Sequence, residues 1–114
     1  MIRPPLDLDD ALPRVDGDVD FLASLLDIFE EDFETRAASL AEALNRGDLR
    51  TAADIGHAIK GASANLGLPF LHGRAMDLEK AARSGDTRTA KTSFASLERE
   101  FLKIVRYRKS HPLK

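Results

Sequence analysis

The chain has 114 residues, 43% hydrophobic and 32% charged, enough for one domain with one core and too few for two. It has no cysteine, which excludes a disulfide framework and a thiolate metal site, and no apolar run near the roughly 20 residues that span a bilayer. The net charge of −2 conceals an asymmetry, thirteen acids against five bases in residues 1–50 and six against twelve in residues 51–114. This division suits one face to an acidic partner and another to repelling it, and it equally describes solvated helix surfaces. The bases are scattered and form no nucleic-acid footprint. Pro4 and Pro5 stand where a secretory signal needs its apolar stretch, so the chain is expected in the cytoplasm and off the membrane.

Residues 6–13 are expected to form a short lead-in helix packed over one end of the fold. The first long helix, about 18–46, carries Leu22, Leu25, Phe29, Phe33, Ala37, Leu40 and Leu44 three or four apart, with acids between them. The second covers about 48–66. The third, about 68–84, carries Leu68, Leu71, Ala75, Leu78 and Ala82 on the same period, with Pro69 tolerable in its first turn. The fourth, about 86–108, carries Ala90, Phe94, Leu97, Phe101 and Ile104, and residues 109–114 form a basic tail. Gly17-Asp18, Gly47-Asp48 and Gly85-Asp86 each pair a glycine able to end a helix with an aspartate able to cap the next. Loops this short make successive helices antiparallel neighbours. The expected class is all-α, an up-down antiparallel four-helix bundle with a short N-terminal lead-in helix, in one domain spanning residues 1–114.

The second helix has an unusual outer face. At about 100° per residue, Ala52, Ile55, Ile59, Ala62 and Leu66 form its core stripe, and His57 falls opposite them, so the imidazole should be exposed. Arg50, Ala53, Asp54, Lys60, Gly61 and Ala64 share the outer face. A glycine inside a helix costs roughly 1 kcal/mol relative to alanine. Helical side chains lean toward the N-terminus, so a glycine four residues on uncovers the patch beside His57, and Ala64 keeps the next turn small. Lys60 projects from the same face and can reach toward the ring. A lysine there would stabilise a phosphoryl group on the histidine, which carries about two negative charges near neutral pH. Imidazole is a competent nucleophile toward a phosphoanhydride-like donor. The pattern therefore describes a minimal phosphoryl-carrying site, or else an exposed histidine beside an unrelated lysine.

The run His57-Ala58-Ile59-Lys60-Gly61, followed by Gly67, Leu71 and Leu78-Glu79, is similar to the signature of the bacterial histidine-phosphotransfer (HPt) domains. Phe21-Leu22 through Leu25-Leu26 and Phe29 resembles that family's first long helix, and the likeness covers about residues 6–105. Gly56 departs from it, where the family often has alanine, on a flank that leaves the chemistry intact. The resemblance implies a monomeric bundle without kinase activity that takes a phosphoryl group from the aspartate of a response-regulator receiver and passes it to another receiver. It implies His57 as phosphoacceptor through Nε2, Lys60 as its electrostatic partner, and Gly61 and Ala64 as clearance, with Ala53 and Arg50 on the docking surface. The partner receiver would supply Mg²⁺, so no cofactor is expected in this chain.

His72, on a polar flank, and His111, in the basic tail, lack a comparable setting. Asp54 could orient His57 or pair with it on a metal, but a metal-binding bundle needs ligands pointing inward from several helices, and no metal is expected. Two alternatives stand beside the carrier: a module that binds receivers without turnover, and the phosphoacceptor domain of a larger hybrid or chemotaxis-type kinase. A hybrid sensor kinase would then be a partner or a parent. The initial Met1 and the short tail favour a free-standing protein.

Overall fold

The structure, a computed structural model, describes residues 3–113. Aspartates open most of its helices. Asp7, Asp18, Asp48 and Asp86 cap α1 (Leu8–Ala11), α2 (Val19–Arg46), α3 (Leu49–Asn65) and α5 (Thr87–Ser110), each accepting a hydrogen bond from the backbone N–H three residues on. α4 (Pro69–Arg83) begins on a proline instead, whose missing N–H would have had no helical partner. Gly47 and Gly85, at φ +72° and +78°, end α2 and the turn after α4 in the left-handed region that glycine enters without strain. Two- and three-residue connections reverse the chain each time. The four long helices form an up-down bundle preceded by a lead-in segment, and among the described residues there is no strand.

α4 lies between α3 and α5, and α2 packs against both α3 and α5. The core takes Leu22, Leu26, Phe29, Phe33 and Leu40 from α2, Leu71, Ala75 and Leu78 from α4, and Ala90, Leu97, Phe101 and Ile104 from α5. Phe33 and Phe101 stack with ring centroids 3.9 Å apart, and Phe29 leans on both. Near the end of α5, Arg108 donates to Glu30, Asp27 and the Ala23 carbonyl of α2, which clamps the two long helices together.

The lead-in segment differs from the expected single helix over 6–13. α1 lasts one turn and tightens into a 3-10 turn over Leu12–Val15. Pro13 explains this, because in a continuing α-helix its ring would meet the carbonyl four residues back. Leu6 and Ala11 are buried, and the Asp7 N–H donates to the Gly67 carbonyl at 2.7 Å, fastening the segment onto the α3–α4 turn.

The core stripe of α3 is turned from its expected line. Its buried residues are Ala52, Ala53, Gly56, Ile59 and Ser63, an arc rotated by about 70° toward α4 at 100° per residue. Ile55 and Ala62 are only half-buried. Ala53 is fully buried, which corrects its expected place on the docking surface. The cause is close packing between α3 and α4. A Cβ built on Gly56 would lie 3.4 Å from the Glu79 nitrogen and from Leu78 Cδ2, ordinary contact distance, so the helices approach closely enough that only a small residue fits between them here. His57 consequently sits on the α4-side shoulder of α3, about 110° from the centre of the buried arc.

Candidate functional site

That shoulder position decides what His57 touches. Its side chain is 64% exposed, yet Nδ1 lies 3.0 Å from Glu79 Oε2 on α4. Glu79 is nearly buried, with 12% of its side chain exposed, and a carboxylate there must be fully paired. Three groups meet that need. Lys60 Nζ is 2.7 Å from Oε1, Arg83 donates through Nε and Nη2 to Oε2 at 3.1 and 2.9 Å, and the His57 ring takes the remaining approach to Oε2. Arg83 also lies 3.7 Å from Asp54 on α3, extending the network across the helix pair.

The Lys60 ammonium is the main reason the Glu79 carboxyl titrates far below the usual carboxylate range, at about 2; burial opposes this, and Arg83 and His57 add to it. Glu79 is therefore an acceptor at neutral pH, and the hydrogen between it and His57 belongs to Nδ1. In the neutral ring this leaves Nε2, on the opposite edge, with an unshared pair turned away from Glu79 and available as a nucleophile.

The pairing also contributes to stability with a definite sign. A folded-state value of about 2 against an ordinary 4.5 means that Glu79 stabilises the fold above pH 4.5 and that this contribution disappears as pH falls toward 2. The shift corresponds to roughly 3 kcal/mol at 1.36 kcal/mol per unit. Asp48 and Asp86 are also held low, mainly by the Thr51 and Thr89 side chains, and share the acid limb. Urea unfolding of wild type and Glu79→Gln across this range should show the two stabilities converging toward pH 2. A constant gap would contradict the assignment.

Of the site residues expected from sequence, Lys60 belongs to the His57 cluster, although its ammonium rests on Glu79 and not against the ring. Gly61 is exposed one turn beyond His57, and a Cβ there would meet nothing within 4 Å. Ala64 is half-buried further along, Arg50 is exposed near the start of α3, and Ala53 is excluded by burial. Glu79 enters the sequence reading only as part of the family-like run, with no role attached, and Arg83 does not enter it at all. A signal existed for Glu79: an acid between Leu78 and Ala82 interrupts an apolar stripe, and a buried acid needs partners. Arg83, in the last turn of a helix, carried no such signal.

The other histidines do structural work. His72 Nδ1 lies 3.0 Å from the Lys60 carbonyl and ties α4 to α3. His111 stacks on Tyr107 with ring centroids 4.1 Å apart. Among the described residues no helix is long and apolar enough to cross a membrane.

Comparison with known proteins extends this geometry. The sequence matches the family model of the Hpt domain over residues 24–106, a span that contains His57, Lys60, Glu79 and Arg83. The fold is similar to the crystal structure of histidine-containing phosphotransfer protein B (HptB) from Pseudomonas aeruginosa PAO1, with a TM-score of 0.84, 32% identity and 96% of each chain covered. No curated protein matches the sequence.

Proposed function

The chain belongs to the Hpt domain family and serves histidine phosphotransfer in a phosphorelay, and on that premise we propose that His57 is its phosphoacceptor. One observation carries the assignment: a largely exposed imidazole whose Nδ1–H is held by a buried carboxylate, so that Nε2 is the free nitrogen. The Nε2 pair attacks the phosphorus of an aspartyl phosphate on a receiver, the phosphorus–oxygen bond breaks, and the aspartate leaves as a carboxylate. The positive charge gained by the ring is met by Glu79 across the Nδ1 hydrogen bond. The reverse step delivers the group to a second receiver. Lys60 stands within one turn and can exchange Glu79 for a phosphoryl oxygen as negative charge arrives.

The receiver supplies Mg²⁺ and its acidic pocket, so this chain acts as a carrier without kinase activity of its own. It works as a cytoplasmic monomer, whether the upstream phosphoryl source is a free receiver or part of a hybrid kinase. Incubation with a phosphorylated receiver and Mg²⁺, followed by mass analysis, tests the assignment. An acid-labile, base-stable adduct on His57 is expected. Its absence with every receiver of the source organism would leave only a receiver-binding role.

Gly61 serves the partner, in this reading. Among the described residues nothing lies within 4 Å of where its Cβ would be, so their packing gives no reason to forgo a side chain. Gly61→Ala should raise stability by about 1 kcal/mol. Gly61→Leu should retain or gain helicity by circular dichroism while transfer from a receiver slows by about tenfold or more, as expected when a crowded contact holds the reacting atoms apart. Unchanged transfer in the leucine variant would show that no partner approaches there.

A further inference from the structure

Glu79 Oε2 has two claimants from different helices. His57 Nδ1–H reaches it from α3 at 3.0 Å, and Arg83 reaches it from α4 with two N–H groups at 3.1 and 2.9 Å. Lys60 occupies the other oxygen, Oε1. Arg83 thus shares the very atom that orients the imidazole, and one of its nitrogens lies 3.7 Å from Asp54 as well. The Arg83 side chain is half-exposed, and its hydrogen bonds and ion pairs join it to Glu79 and Asp54.

Resting on the reading of His57 as phosphoacceptor, we propose that Arg83 is a positioning residue that weakens the hold of Glu79 on the His57 ring and thereby slows loss of the phosphoryl group. With phosphorus on Nε2 and a proton on Nδ1, the ring is a phosphoimidazolium. On transfer the P–N bond breaks, its electron pair returns to Nε2, and neutral imidazole departs with its Nδ1 proton. The phosphoryl group goes to a receiver aspartate oxygen, or to water, which then releases a proton to solvent. Had Nδ1 first lost its proton to solvent, the leaving group would be imidazolate, and the P–N bond would persist. Anything that strengthens the Glu79···H–Nδ1 contact keeps the labile form present to higher pH. Arg83 does the reverse, because its charge draws on the same oxygen and repels a cationic ring. Glu79 of α4 contacts the ring directly, and the charged groups linked to it through that carboxylate are Lys60 from the ring's own helix and Arg83 from α4, with Asp54 of α3 paired to Arg83. Of these, Arg83 alone competes for Oε2.

The test is the pH profile of dephosphorylation. Wild type, Arg83→Gln and Arg83→Lys are phosphorylated with potassium phosphoramidate, the adduct is mapped to His57, and its loss is followed by intact mass from neutral to alkaline pH. For Arg83→Gln the alkaline limb should move up by roughly half a pH unit, about a threefold faster loss at a given alkaline pH, as expected for removing one unit charge a few ångströms away in a wet site. Arg83→Lys keeps the charge and should stay nearer wild type. An Arg83→Gln profile that overlays wild type, or a rate change equal at every pH, overturns the proposal while leaving His57 as acceptor. No adduct on wild-type His57, from phosphoramidate or from a phosphorylated receiver, removes the functional reading and this inference together.

Discussion

His57→Gln should abolish phosphoryl acceptance and lower the melting temperature by no more than a few degrees. The imidazole makes no core contact: its side chain is 64% exposed, and its recorded polar partner is Glu79. Glutamine can still offer an N–H toward the carboxylate, and Lys60 and Arg83 continue to pair it. The lost hydrogen bond to a charged group is therefore worth about 1 kcal/mol or less, equivalent to about 5 °C in a domain of this size. The amide nitrogen has no basic lone pair, so the chemical step has no nucleophile. Adduct formation by mass analysis and melting by circular dichroism check both halves. A collapse in melting temperature would mean that the ring supports the fold, and an adduct in the variant would mean that His72 or His111 carries the group.

Gly67→Ala should be the most damaging single methyl in the chain. Gly67 has φ +69°, where an alanine costs about 1–2 kcal/mol from its own backbone. The added Cβ would also sit 2.6 Å from the Asp7 carbonyl oxygen and 2.9 Å from Ala11 Cβ. The first of these is main chain and cannot rotate away. Relief requires the lead-in segment to back off, which breaks the Asp7 N–H to Gly67 carbonyl hydrogen bond and lifts Leu6 and Ala11 from the core. Together these predict a loss of about 3 kcal/mol or more, or roughly 10–15 °C in melting temperature. Chemical denaturation should show it, with early protease sensitivity around residues 6–15. Wild-type stability in this variant would contradict the tight seat of the lead-in segment. The His57 site is built by α3 and α4, so phosphoryl acceptance below the transition should survive.

The two substitutions separate what is local in this protein from what is not. The helices were legible because their causes act within four residues: apolar side chains recur at three and four, and Asp18, Asp48 and Asp86 each satisfy an amide three positions on. The exposure of His57 was legible for the same reason, and so was the open space at Gly61. Pro13 made the end of the lead-in helix readable in principle, by a backbone clash four residues back.

The content of the site was not local. The bond from His57 to Glu79 spans 22 positions in sequence, and its existence depends on how near α4 comes to α3. Ala53 and Gly56 are both buried, and Gly56 lies against Leu78 and Glu79 of α4, yet residues this small add almost nothing to a hydrophobic stripe. Periodicity therefore placed the buried face of α3 about 70° from where it lies, put Ala53 outside, and left Glu79 and Arg83 without a role. By itself the sequence determined that this is a helical bundle with His57 exposed on its second long helix, beside the uncovered turn at Gly61. Only the tertiary packing decided which edge of that imidazole is tethered and which is free, because a hydrogen bond between helices requires ångström-scale placement that no pattern along a single helix encodes.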